Sequence, residues 1–83
     1  MLKENEKLYL LGRNIAGIRR EKGYSQNALA DLLYISREHL AEVETAKRGI
    51  SFKLLFKISE VLGVPETAFF EFNEEILEAE KKK

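Results

Sequence analysis

Two serines eleven residues apart, Ser25 and Ser36, each open a short run with apolar residues at helical spacing, and this pattern constrains the chain more than any other. Serine is a strong N-cap because its hydroxyl accepts a hydrogen bond from an orphan amide of the first helical turn. A helix begun at Ser25 must therefore end before Ser36, and its connection to the next is shorter still. The first helix has Leu29, Leu32 and Leu33 as its apolar side, with Ala28 and Ala30 allowing close approach; the second offers only Leu40 and Val43. Two short helices joined so tightly cross at roughly 90 to 120°. With so little apolar surface to bury, the first turn of the second helix, Arg37, Glu38 and His39, faces outward, and these side-chain types reach base edges in a major groove.

The rest of the chain reads as support for residues 25–44. The first dozen residues, up to Gly12, read as a ragged lead-in to a helix in which Leu8, Leu11, Ile15 and Ile18 recur at helical spacing. Gly23 stops that helix by taking a left-handed conformation. TAKRGI, residues 45–50, is a loop by its glycine and lost periodicity, and Ser51 caps a further helix with Leu54, Leu55, Ile58 and Leu62 inside. Gly63 ends it, and Pro65 suits the first turn of a short fifth helix. Phe69, Phe70 and Phe72 then crowd more aromatic surface into four residues than a short helix hides. Either they complete a thin core or they meet a second copy, and the dimer interface is the favoured reading. The tail, residues 73–83, places acids first and lysines last, which favours a helix, with Ile76 and Leu77 as its main apolar contacts and an end prone to fray. The expected fold is all-α: a compact five-helix domain over 1–83, with a core of about 8–72 and the tail as a helical extension.

Eighty-three residues form one small domain with little stability to spare, a reason to expect a dimer. No apolar run approaches the roughly 18 residues of a membrane span, and the opening MLKENEKLYLL is too polar for a secretory signal. The absence of cysteine excludes disulfides and thiolate metal sites and is consistent with a cytoplasmic protein. A net charge of zero argues against nucleic acid at first sight. Its distribution does not: residues 13–53 carry eight basic against five acidic side chains, +3, and residues 54–83 four against seven, −3.

From about Leu11 to Phe70 the chain resembles the phage repressor and Cro type of helix-turn-helix domain, the xenobiotic-response-element family. The likeness is carried by IRREKGYSQNALADLL, ISREHLAEVE and KRGISFKLLFKISEVLGV. AEVETAKRGISFKLLFKISEVLGVPETAFFEF is also similar to controller proteins of restriction-modification systems and small regulators of mobile elements. The resemblance implies that Gln26 contacts a phosphate, that Arg37, Glu38, His39 and Glu42 face bases, and that the last helix makes the dimer. It also implies a structural Glu44, bridging to Arg13 or Arg19. Three positions depart from the pattern: Tyr34 stands where the turn usually has glycine, Thr45 and Ala46 replace a polar residue and glycine, and Glu38 and Glu42 bring acids towards the groove. Tyr34 implies a wider turn or a ring packed over it, and Thr45 and Ala46 a shifted loop.

The expected function is a sequence-specific transcriptional regulator that binds double-stranded DNA as a homodimer. Arg37, Glu38, His39 and Glu42 supply base contacts, Gln26, Ser36, Lys47 and Arg48 phosphate contacts. The competing reading keeps the fold as a protein-interaction module, on the strength of the neutral charge and the two acids. A solvated Arg37 paired with Glu38 or a neighbouring helix, an idle His39 and a merely polar Gln26 are its local counterparts. An enzyme is not expected, since no nucleophile is paired with a base and the single histidine has no visible ligand set, so neither cofactor nor metal is expected.

Overall fold

In the computed structural model, which describes residues 1–82, the chain forms α1 (Glu4–Glu21), α2 (Gln26–Leu33), α3 (Arg37–Glu44), α4 (Phe52–Leu62), a 3-10 helix (Glu66–Phe70) and α5 (Glu74–Lys81). Among the described residues there is no strand. The two serines act as the spacing predicts, and Ser51 with them: their hydroxyls accept from the amides of Ala28, His39 and Leu54 at 3.0, 3.0 and 3.1 Å. Each such cap is worth about 1 kcal/mol.

The lead-in is itself helix, which corrects the expectation for the first dozen residues. Glu4 and Glu6 lie at the positive end of the α1 dipole, and the Glu6 carboxylate accepts from the Lys3 amide at 2.9 Å. That hydrogen bond, with a smaller contribution from Lys81, holds the Glu6 carboxyl below its ordinary pKa. Leu10, Leu11 and Ile15 are buried and Leu8 only half-buried, so the buried stripe starts at Leu10, two positions after the predicted Leu8. Gly12 is not a boundary but a crossing point: a Cβ there would stand 2.6 Å from the Glu44 carbonyl oxygen and 2.7 Å from that of Val43. The backbones of α1 and α3 touch, and only glycine permits it.

The turn between α2 and α3 is not widened by Tyr34. This residue takes φ +58°, and the Ile35 amide returns to the Ala30 carbonyl at 3.1 Å, the closure a glycine would give. Its ring does not cover the turn either; it is exposed, with Lys57 Nζ 4.8 Å from the ring centroid. Ala46 likewise takes the left-handed conformation, φ +62°, in place of the usual glycine.

Ile15, Leu29, Leu40, Ile58 and Phe69, one from each of the first five elements, are fully enclosed in a single cluster. Leu32, expected on the apolar side of α2, is half exposed. Phe69 corrects the expectation of a dimer contact: it is 0% exposed within its own chain and cannot offer its ring to a second copy. Asn14 pins this segment to α1, donating to the carbonyls of Phe69 at 2.8 Å and Glu71 at 3.0 Å. Phe70 is half exposed and Phe72 half-buried, their rings tilted together at 6.0 Å. The tail is helical as expected; α5 buries Leu77 and ties Lys81 to Glu6 at 3.4 Å.

Candidate nucleic-acid interface

The exposed end of α3 is held from its buried end. Glu44, in the last turn, is 6% exposed and forms a two-pronged ion pair with Arg19 of α1, at 2.7 Å to Nε and 3.1 Å to Nη2. The sequence left Arg13 and Arg19 as alternatives; Arg13 instead reaches the Tyr9 hydroxyl at 3.4 Å. Arg19 also donates to the Tyr24 carbonyl at 2.9 Å, in the loop that leads into α2. Gln26, the first residue of α2, donates to Glu44 at 2.8 Å and accepts from Arg37 at 3.3 Å. One buried guanidinium therefore fixes Glu44, Glu44 orients Gln26, and Gln26 steadies the first side chain of α3. The relay joins α1, α2 and α3 and sets the angle at which α3 is presented.

Arg37 and Glu38 are exposed, and His39 and Glu42 are half-buried on the same helix. The Ser36 hydroxyl, accepting from the His39 amide, keeps its own hydrogen to donate outward. Gln26 keeps a second amide hydrogen and stands beside Arg37. Glu42 is offset by Arg48, whose Nη2 lies 3.1 Å away on the loop. The loop amides are engaged inside the chain: those of Lys47 and Arg48 both return to the Glu42 carbonyl, at 2.8 and 3.3 Å. Exposed Lys47 and Arg48 thus offer side chains rather than backbone to an anion. Two cations escaped the sequence reading. Lys53 and Lys57 of α4 line, with His39 and Arg48, an open cleft of about 390 Å³ floored by Leu33 and Leu54. Their spacing of four on a capped helix was the available signal.

Basic side chains thus flank a protruding helical turn whose base is locked. The sequence pattern of the helix-turn-helix family HTH_3 matches residues 15–69. The chain belongs to this family of DNA-binding transcriptional regulators, which is not a family of enzymes. It is 39% identical over 59 residues to the HTH-type transcriptional regulator RamB of Mycobacterium tuberculosis, covering 71% of this chain and 12% of RamB. With YonR, an SPbeta prophage-derived HTH-type transcriptional regulator of Bacillus subtilis, it shares 38% identity over 55 residues, 66% of this chain and 51% of YonR. The chain spans well under two thirds of both relatives. Among solved structures, the restriction-modification controller protein C.AhdI of Aeromonas hydrophila superposes with a TM-score of 0.73 at 28% identity, covering 76% of this chain and 96% of that one. Within the HTH_3 match lie Gln26, Ser36, Arg37, Glu38, His39, Glu42, Lys47, Arg48 and Phe69; Phe70 and Phe72 fall just beyond it. No described helix is long and apolar enough to cross a membrane.

Proposed function

We propose that the chain is a sequence-specific regulator that binds operator DNA as a homodimer, with α3 in the major groove and two half-sites about one helical turn, roughly 34 Å, apart. Arg37 forks onto a guanine, Glu38 and Glu42 accept from cytosine amino groups or exclude other bases, and His39 reads the groove edge. Gln26, Ser36, Lys47 and Arg48 hold phosphates on either side. The reading is carried by one observation: the exposed Arg37 is tied through Gln26 to a buried ion pair, so the turn that protrudes is also the turn that is rigidly aimed. Preorganisation of this kind reduces the entropy lost on binding. The likeness to a prophage-derived HTH-type transcriptional regulator and to a restriction-modification controller protein lends support. Occupation of the operator is the whole effect; no bond is made or broken.

Selection of bound sequences from a random duplex pool tests this. The expected product is a two-fold symmetric motif; an asymmetric motif removes the homodimer, and no enrichment together with no retention on heparin at low salt removes DNA and favours the protein-interaction reading.

A further inference from the structure

The side of α4 turned away from the core carries, in order around the helix, Phe52, Phe56, Glu60, Lys53 and Lys57. Phe52 is 78% exposed and Phe56 55%, and their rings stack with centroids 6.3 Å apart. Lys57 is committed to the Tyr34 ring. No ion pair engages Lys53 or Glu60 among the described residues.

We propose that this face docks a second copy of the chain, α4 against α4 in antiparallel fashion, about a two-fold axis through Phe56. The proposal rests on the homodimer reading above and moves its seat away from the C-terminal phenylalanines. At 1.5 Å per residue, Glu60 lies about 6 Å along α4 on one side of Phe56 and Lys53 about 4.5 Å on the other. A two-fold axis there brings Phe56 onto the partner's Phe56 and sets Glu60 opposite the partner's Lys53, twice, with a Phe52 ring closing each end. A parallel arrangement would instead align Lys53 with Lys53 and Glu60 with Glu60. The patch is therefore complementary to itself in one orientation, as an isologous interface must be. Phe70 makes a poorer seat, because Phe72 already covers part of it and the sequence around it, with Glu66, Glu71, Glu74 and Glu75, would repel its own copy. The two α4 rings expose on the order of 250 Å² per copy. A standard interface takes about 800 Å² per partner, so they form its centre and the flanking contacts complete it. Association in free solution is accordingly weak and is strengthened when adjacent half-sites hold two copies together.

Sedimentation equilibrium of the full chain across the micromolar range tests the proposal, with far-UV melting as a check that each variant is folded. Phe52→Ser with Phe56→Ser weakens self-association at least about tenfold while the fold persists. Lys53→Glu and Glu60→Lys each weaken it alone, but an equimolar mixture of these two variants associates, because the heterodimer restores both charge pairs. A wild type that stays monomeric, a serine variant that still pairs, or a mixture no tighter than its components overturns the proposal. A chain that pairs through α4 yet ignores every duplex sinks the operator reading alone. Operator binding that stays equally cooperative in the serine variant sinks only the α4 face.

Discussion

Helix α3 makes two Arg–Glu pairs of the same chemistry in opposite surroundings. Glu44 and Arg19 are 3% and 6% exposed in their side chains; Glu42 and Arg48, less than a turn away, are 42% and 51% exposed. The buried pair is satisfied on every side, by two prongs of its own and by Gln26 and the Tyr24 carbonyl, as a charge taken out of water must be. The exposed pair rests on two donors of Arg48 to one Glu42 oxygen, in high dielectric, screened by salt and readily exchanged for another anion. One pair sets the angle of α3. The other offsets the Glu42 charge while leaving Arg48 free to exchange; under the proposed function Arg48 would turn to a phosphate and Glu42 to the groove.

The largest effect should come from breaking the buried pair. Glu44→Ala leaves the Arg19 charge buried without a partner and should cost about 3 to 5 kcal/mol. For a chain of this size that lowers the melting temperature by well over 10 °C. Arg19→Met combined with Glu44→Leu should recover most of the loss, since no charge is then stranded; a double variant as unstable as the single one would mean that the relay, not the charge, matters. Thermal melts decide it. A second contrast lies within α1. Gly12→Ala drives a methyl into the Val43 and Glu44 carbonyls and should cost about 1 to 3 kcal/mol. Gly17→Ala meets nothing within 4 Å and should stabilise by up to about 1 kcal/mol. The same substitution five residues apart should thus change sign in a urea titration.

How far the sequence anticipates this depends on whether a feature is local. The N-caps at Ser25, Ser36 and Ser51 and the stops at Gly23 and Gly63 are written in neighbouring residues, and the structure has them where the spacing puts them. The start of α1 is hidden from an apolar-periodicity reading because its first turn is polar; its acids and the Glu6 cap are the local signal for it. Gly12 could not be read at all, because the α3 backbone that demands it lies some thirty residues away. The burial of Phe69 is non-local in the same way: counting aromatics in a short segment does not reveal that the whole core converges on one of them. At the interface the sequence picked out the exposed α3 turn, whereas the Arg37–Gln26–Glu44–Arg19 chain spans α1 to α3 and needed coordinates.

Arg37→Ala touches the relay only at its exposed tip, so stability should change by no more than about 0.5 kcal/mol. Affinity for the selected operator should fall by about 1 to 3 kcal/mol while random duplex is bound nearly as before. Lys47→Ala should do the reverse, weakening both duplexes alike and reducing the slope of log K against log salt by about one. Fluorescence anisotropy at several salt concentrations separates the two; equal losses on both duplexes for Arg37→Ala would remove it from the groove.

The smallest effect belongs to the exposed pair. A double-mutant cycle with Glu42→Gln and Arg48→Ala, read by thermal melts, should give a coupling of only about 0.2 to 1 kcal/mol, fading as salt shortens the Debye length to about 3 Å near 1 M. The corresponding cycle on Arg19 and Glu44 should keep its value in the same salt, since water and ions do not reach it. Glu42→Gln should also tighten binding to random duplex, because it removes an acid near the phosphates and releases Arg48. A coupling above about 2 kcal/mol for the exposed pair, or one insensitive to salt, would mean that Arg48 holds the loop as Arg19 holds the helix. In that case loss of Arg48 would weaken DNA binding through the position of residues 45–50 rather than through its own charge, and Arg48→Lys, which keeps the charge but loses the planar fork, would weaken it as much as Arg48→Ala.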